Sequence, residues 1–172
     1  MQSQIRLSPE QKDRLIEAIL RFPTCRILVV GDIMLDTFIW GEVNRIFPEA
    51  PVPVVEVREE SQLLGGSANV AHNVAGLGGK TAVAGVVGND HAGRLLLSLF
   101  EEIAVSTDGL VIEDDRPTTV KTRIIAQHQQ VVRFDREWLA PLKERTLERI
   151  LSYIEDNLPN LNGIIVSDYA KG

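Results

Sequence analysis

At 172 residues the chain is long enough for one domain with a real core, and 44% hydrophobic with 24% charged residues is ordinary globular composition. That argues against disorder and against a coiled coil. A net charge of −6 without a basic block argues against nucleic acid and anionic membranes as partners, so any phosphate site has to be built from few cations.

Residues 1–22 carry acids and bases throughout and lack the apolar centre of a signal peptide, and no later segment is apolar for long enough to span a bilayer. A cytoplasmic protein is expected. Ser8-Pro9-Glu10-Gln11 reads as a helix start, with Ser8 as N-cap and Pro9 in the first helical position. Leu15, Ile16, Ile19 and Leu20 follow as one apolar face, the mark of a packing helix without a site. Cys25, the single cysteine, reads as a small buried hydrophobe in a reducing compartment and is assigned no chemistry.

Arg26 to Asp32 is a continuous apolar run closed by Gly31-Asp32, the pattern of a central parallel strand whose carboxyl end meets a ligand crevice. Asp32 and Asp36 then stand where open α/β sheets bind ligands. A carboxylate there accepts hydrogen bonds from sugar hydroxyls or caps a turn, and residue type alone does not choose. Thr37–Gly41 and Val52–Val57 have strand composition around a proline-rich connection, a small two-strand excursion made irregular or edge-like by Pro51 and Pro53.

The stretch from Leu64 to Gly93 holds most of the informative glycines. Gly65-Gly66 turns the chain tightly into a helix, Ala68 to Leu77, whose first N–H groups face a polar ligand. A strand from Thr81 to Val87 follows. Gly79-Lys80-Thr81 resembles the tail of a P-loop, but Val74 occupies the position of the required glycine and a helix precedes it instead of a strand. A dinucleotide fingerprint fails too, since Gly76-Leu77-Gly78 ends a helix and does not follow a strand.

A helix beginning near Gly93 buries Leu95, Leu96, Leu99 and Phe100, a strand runs from Val105 to Val111, and Glu113-Asp114-Asp115 reads as an acid turn with no role beyond solvation. Pro117–Ala126 and Gln130–Asp135 form a hairpin with His128 at its tip as an exposed turn residue. Lys121, Arg123 and Arg133 make one face of it basic, either a solvated sheet face or an anion-facing one. Leu139–Leu158 is an amphipathic helix closed by Pro159, and Gly163–Asp168 a second buried strand leading into Tyr169-Ala170-Lys171-Gly172, at the same sheet end as Asp32.

The succession GGSAN, Ala71, Gly78, Gly88 and GNDHAG resembles the N-terminal signature of the PfkB/ribokinase family of sugar kinases, in which the Gly-Gly pair and the Asn grip sugar hydroxyls. Ser67 stands where alanine or glycine is usual. GDIMLD resembles the family's first strand, in which the second acid contacts the sugar, which places Asp36 first and Asp32 next. NRIFPEAP, TTVKTRIIA, QQVVRFD and SDYAKG are similar to segments of bacterial D-glycero-β-D-manno-heptose 7-phosphate kinases. Phe47 and Asn44 replace serines of that pattern, while Arg45 is kept.

The resemblance covers nearly all of residues 24–172 and implies a ribokinase-like layered α/β/α sheet with a small β lid, the lid formed by about 37–64 and 117–135. It implies an acceptor site made of Asp32, Asp36, Arg45, Gly65, Gly66, Asn69, Arg133, Asp168 and Lys171. Asp36, Gly66 and Asn69 would hold hydroxyls, and Arg133, Lys171 and Arg45 a phosphate. It implies ATP and Mg²⁺ as cofactors and a homodimer through the lid. The reaction implied is transfer of the γ-phosphoryl group to the anomeric hydroxyl, on the way to ADP-heptose for lipopolysaccharide. Family members continue into a second half with the nucleotide pocket, a magnesium-associated acidic motif and a Gly-Ala-Gly-Asp loop that supplies the base. The chain is therefore expected to be the N-terminal part of one kinase domain, with no catalytic residue or metal ligand of its own. Another sugar or nucleoside kinase of the family, or a non-catalytic sugar-phosphate-binding or assembly module, are the alternatives.

Overall fold

The computed structural model describes residues 7–127 and 129–171, so His128 at the hairpin tip and the terminal Gly172 lie outside the described residues. Helix α1 (Pro9–Leu20) starts as its sequence dictates. Ser8 caps it and Gln11 completes a reciprocal capping box, each side chain accepting from the other residue's backbone N–H. Its apolar face is not packed, however. Leu15, Ile16, Ile19 and Leu20 are all exposed and no residue of the helix is buried, which corrects the reading of a packing helix.

Strands β1 (Arg26–Gly31), β4 (Lys80–Gly88), β5 (Ser106–Glu113) and β8 (Gly163–Ser167) form one parallel sheet in the order β5-β4-β1-β8. Their side chains alternate between two cores. Val29 and Val83 face one side with α2 (Ser67–Gly76) and α3 (His91–Glu102), where Leu96 and Phe100 are fully buried. Leu28, Ala84 and Val111 face the other side, against Ile150 of α4 (Glu144–Asn157). Burial of both faces explains the unbroken apolar runs of β1 and β4, whereas Ile164, Ile165 and Val166 of the edge strand β8 are exposed, which corrects the reading of a second buried strand.

The second sheet, in the order β3-β2-β6-β7, is larger than the expected excursion. β2 (Ile33–Ile46) and β3 (Pro53–Gly66) are 14 residues each and pair antiparallel from Ile33 opposite Gly66 to Ile46 opposite Pro53. β6 (Thr119–Ala126) joins β2 in parallel, and β7 (Gln129–Arg136) closes the hairpin. Ladder pairing, shifted in register at Arg58 and at Asn44, carries the strands through polar stretches such as Glu59-Glu60, which propensity alone reads as loop. Pro53 sits at a strand start, where its missing N–H costs least.

Two further expectations change. Helix α4 starts at Glu144 rather than at Leu139, because the carbonyls of Trp138, Ala140 and Pro141 are held by the guanidinium of Arg116 and are lost to a helix. The acid turn is not merely solvated. Glu113 is buried, paired with Arg116 at 3.3 Å and accepting from the Thr146 hydroxyl, and Asp115 pairs with Lys143.

Candidate functional site

The site forms where the two sheets meet, because the chain passes from β1 into β2 with only Asp32 between them. The Asp32 carbonyl accepts the Ser67 N–H at 3.0 Å, and its Oδ2 accepts the backbone N–H groups of Tyr169 at 2.6 Å and Lys171 at 3.3 Å. Asp32 therefore ties three chain segments together and serves as a turn cap. Asp168 folds the same turn, its Oδ1 accepting the Ala170 N–H at 2.7 Å. Ser67 donates its hydroxyl to the Ser167 carbonyl at 2.8 Å, which gives a structural use to a serine where a smaller residue was expected.

Gly65 and Gly66 end β3 and open α2. Gly66 has φ +56°, and a β-carbon on it would lie 2.6 Å from the Asp32 carbonyl oxygen, so only glycine fits without displacement. At Gly65 a β-carbon would come within 2.8 Å of Asp36 Oδ2. The absence of that carbon keeps the carboxylate oxygen open. No side chain caps the start of α2, and Asn69 is exposed in its first turn.

Asp36 shares a sheet face with Lys121 on β6 and Asp135 on β7, which stand opposite one another in register. Arg123 donates to Asp36 Oδ1 at 2.7 Å and lies over the Phe38 ring at 5.1 Å. Arg133 Nε is 3.1 Å from Asp135 Oδ1, and Lys171 Nζ is 2.8 Å from Glu137 Oε2. These two carboxylate oxygens are buried and accept no hydrogen bond, whereas Asp135 Oδ2 accepts from Arg133 Nη2 at 3.1 Å. The face is thus a row of alternating charges, and the basic hairpin face expected from Lys121, Arg123 and Arg133 is neutralised in large part by carboxylates.

Asp32, Asp168 and Lys171 also wall a cleft of about 280 Å³ on the α4 side of the parallel sheet, with Gly31, Gly85 and Arg116. Asp36, Gly65, Gly66 and Asn69 are not among its walls, so the expected site residues flank the β1–β2 junction instead of filling one cavity. Arg45 does not join them. It is exposed near the far end of β2, nine residues beyond Asp36, which is ~30 Å at the usual strand rise. The strand runs on into the lid and away from the site, so within a single chain Arg45 does not stand beside the other expected residues.

Sequence reasoning left Lys121 and Arg123 without individual roles, although their two-residue spacing from one another put both on one face. It also passed over Asp90, which caps α3 through the Gly93 N–H at 2.8 Å and receives both the hydroxyl and the N–H of Thr118, at 2.7 and 2.9 Å. Partial burial opposes the charged form of Asp90, but these hydrogen bonds prevail and hold its carboxyl below the ordinary value of 3.8. Among the described residues no three His, Cys, Asp or Glu side chains gather in a group that could hold a metal ion.

The sequence profile of the pfkB family carbohydrate kinases matches residues 25–166. The chain belongs to this family. It is 46% identical over 151 residues to the bifunctional protein HldE of Desulfatibacillum aliphaticivorans, covering 88% of this chain and 31% of that protein. It is likewise 46% identical over 147 residues to HldE of Helicobacter pylori strain J99, covering 86% and 32%. The chain thus spans about a third of the length of the curated relatives it matches. Among solved structures, a carbohydrate kinase from Agrobacterium tumefaciens has a TM-score of 0.64 at 20% identity, over 83% of this chain and 45% of that one. Arabidopsis thaliana ribokinase, complexed with ribose and ATP, has a TM-score of 0.60 at 18% identity over the same shares. These likenesses show that the pfkB chain has the ribokinase-like fold.

Proposed function

We propose that the chain is the acceptor-binding part of an ATP-dependent sugar-phosphate kinase whose acceptor is D-glycero-β-D-manno-heptose 7-phosphate. The product is the 1,7-bisphosphate, an intermediate toward ADP-heptose for lipopolysaccharide, made in the cytoplasm. The observation that carries this reading is the open Asp36 Oδ2 against Gly65, beside the uncapped start of α2, in a chain 46% identical to HldE. A carboxylate oxygen and helix N–H groups are, respectively, an acceptor and donors for vicinal hydroxyls. Asn69 at the helix entry supplies one of each. Arg133 and Lys171, with the other cations of the face, make the surroundings of an anionic acceptor less negative than the overall charge suggests.

What these residues do is bind and orient. Phosphoryl transfer is largely a matter of positioning and of charge stabilisation around the transferring group. The base that takes the anomeric proton, the nucleotide pocket and the magnesium site are proposed to lie in the part of the protein for which the relatives' greater length allows. Association is proposed to occur through the lid sheet, where Trp40, Val57 and Phe134 are exposed apolar side chains on a sheet with open edges.

The test compares this 172-residue chain with the intact protein. The expected result is sugar-phosphate binding by calorimetry in both, and sugar-dependent ADP release only in the intact protein. Magnesium-dependent ADP formation by the chain alone, lost on Asp36→Asn, would overturn the division of labour.

A further inference from the structure

Resting on the reading of the acceptor as a sugar phosphate, we propose that Lys121 is the residue that meets the acceptor's phosphate and sets the preference for a phosphorylated sugar. The cations on the site face are not equivalent. Arg123 is bonded to Asp36 at 2.7 Å, Arg133 lies 3.1 Å from Asp135, and Lys171 lies 2.8 Å from Glu137. Each is already matched by one carboxylate. Lys121 stands between Asp36 and Asp135 in register, yet among the described residues no carboxylate lies within ion-pair distance of its ammonium. The ammonium instead lies 5.3 Å over the ring of Tyr169, the residue whose N–H is held by Asp32.

Lys121 thereby reaches from the lid sheet to the turn after β8, across the line where both halves of the site meet. A ring face satisfies the charge of an ammonium only in part and uses none of its three N–H donors in a directed hydrogen bond. An approaching dianionic phosphate therefore gains the whole of this charge, whereas at Arg133 or Lys171 it has to compete with a carboxylate already in place. Half-burial of Lys121 further favours a directed interaction over one screened by solvent.

The experiment measures kcat and KM of the intact protein with heptose 7-phosphate and with the unphosphorylated heptose. For Lys121→Met, which keeps the aliphatic stem, KM for the phosphorylated sugar should rise tenfold or more. The unphosphorylated sugar should change by less than twofold, kcat should be little altered, and Lys121→Arg should restore most of the loss. Arg133→Met and Lys171→Met should each raise the same KM less than Lys121→Met does. Tyr169→Leu, which removes only the ring beneath the ammonium, should raise it severalfold and serves as the test should Lys121→Met fail to fold. Equal losses for both sugars, a larger effect at Arg133 or Lys171, or no effect at Tyr169 would overturn the assignment while leaving the sugar-phosphate reading intact. A wild-type protein that does not distinguish the two sugars would overturn both.

Discussion

Replacing Asp36 by Asn isolates the charge of one carboxylate at nearly constant shape. In the folded chain Asp36 Oδ1 takes the Arg123 guanidinium at 2.7 Å, and the two side chains are 22% and 23% exposed. The gross attraction of such a pair is several kcal/mol, but desolvation and partial screening leave a net contribution of about 1 kcal/mol. The asparagine would keep its carbonyl oxygen on Arg123, so its amide nitrogen would occupy the place of Oδ2 beside Gly65. A donor then replaces an acceptor where a sugar hydroxyl is proposed to donate. Loss of one charge-assisted hydrogen bond is worth about 1.5–3 kcal/mol, or roughly 10–100-fold in affinity. Urea unfolding and calorimetry with the sugar phosphate on the intact protein read the two effects separately. A stability loss above about 3 kcal/mol with unchanged affinity would refute the reasoning and make Asp36 a structural partner of Arg123.

Arg116→Met should destabilise by about 3–5 kcal/mol in urea unfolding, because it leaves Glu113 buried without its cation and frees three carbonyls of the segment before α4; a loss under 1 kcal/mol would count against this. Because the folded-state pKa of Asp90 is lowered, its contribution to stability is full above the ordinary value of 3.8 and is lost as pH falls through the lower folded value. Asp90→Asn, which still caps the helix, should flatten that acid limb of a denaturation-midpoint profile, and an unchanged limb would exclude Asp90 as its source. Light scattering at tens of micromolar should show a dimer, and Trp40→Lys should shift it to monomer without unfolding it; a wild-type monomer would count against lid association.

The sequence by itself determined the elements whose cause is local. Ser8, Pro9 and Gln11 start α1 as capping chemistry requires, the apolar run to Gly31-Asp32 is a doubly buried parallel strand, and Gly65-Gly66 turns into α2. Those glycines also marked the acceptor side of the candidate site, because a close backbone approach excludes any other residue there.

What only the tertiary structure decided is which charges find each other. Glu113 and Arg116 look like surface residues three apart, yet α4 and the segment before it bury them, and that same contact delays the start of α4 to Glu144. Arg133 and Asp135 share a face of one strand, but Lys171 reads as a free cation until the fold sets it beside Glu137, just after β7. Arg45 is placed at the site by the resemblance of its segment, but the long β2–β3 ladder carries it to the far end of the lid. Pairing between side chains far apart in sequence depends on strand register and on helix placement, which are fixed by the summed burial of the whole chain. No local pattern encodes them, and so Lys121, left without a carboxylate between two of them, became visible only in the fold.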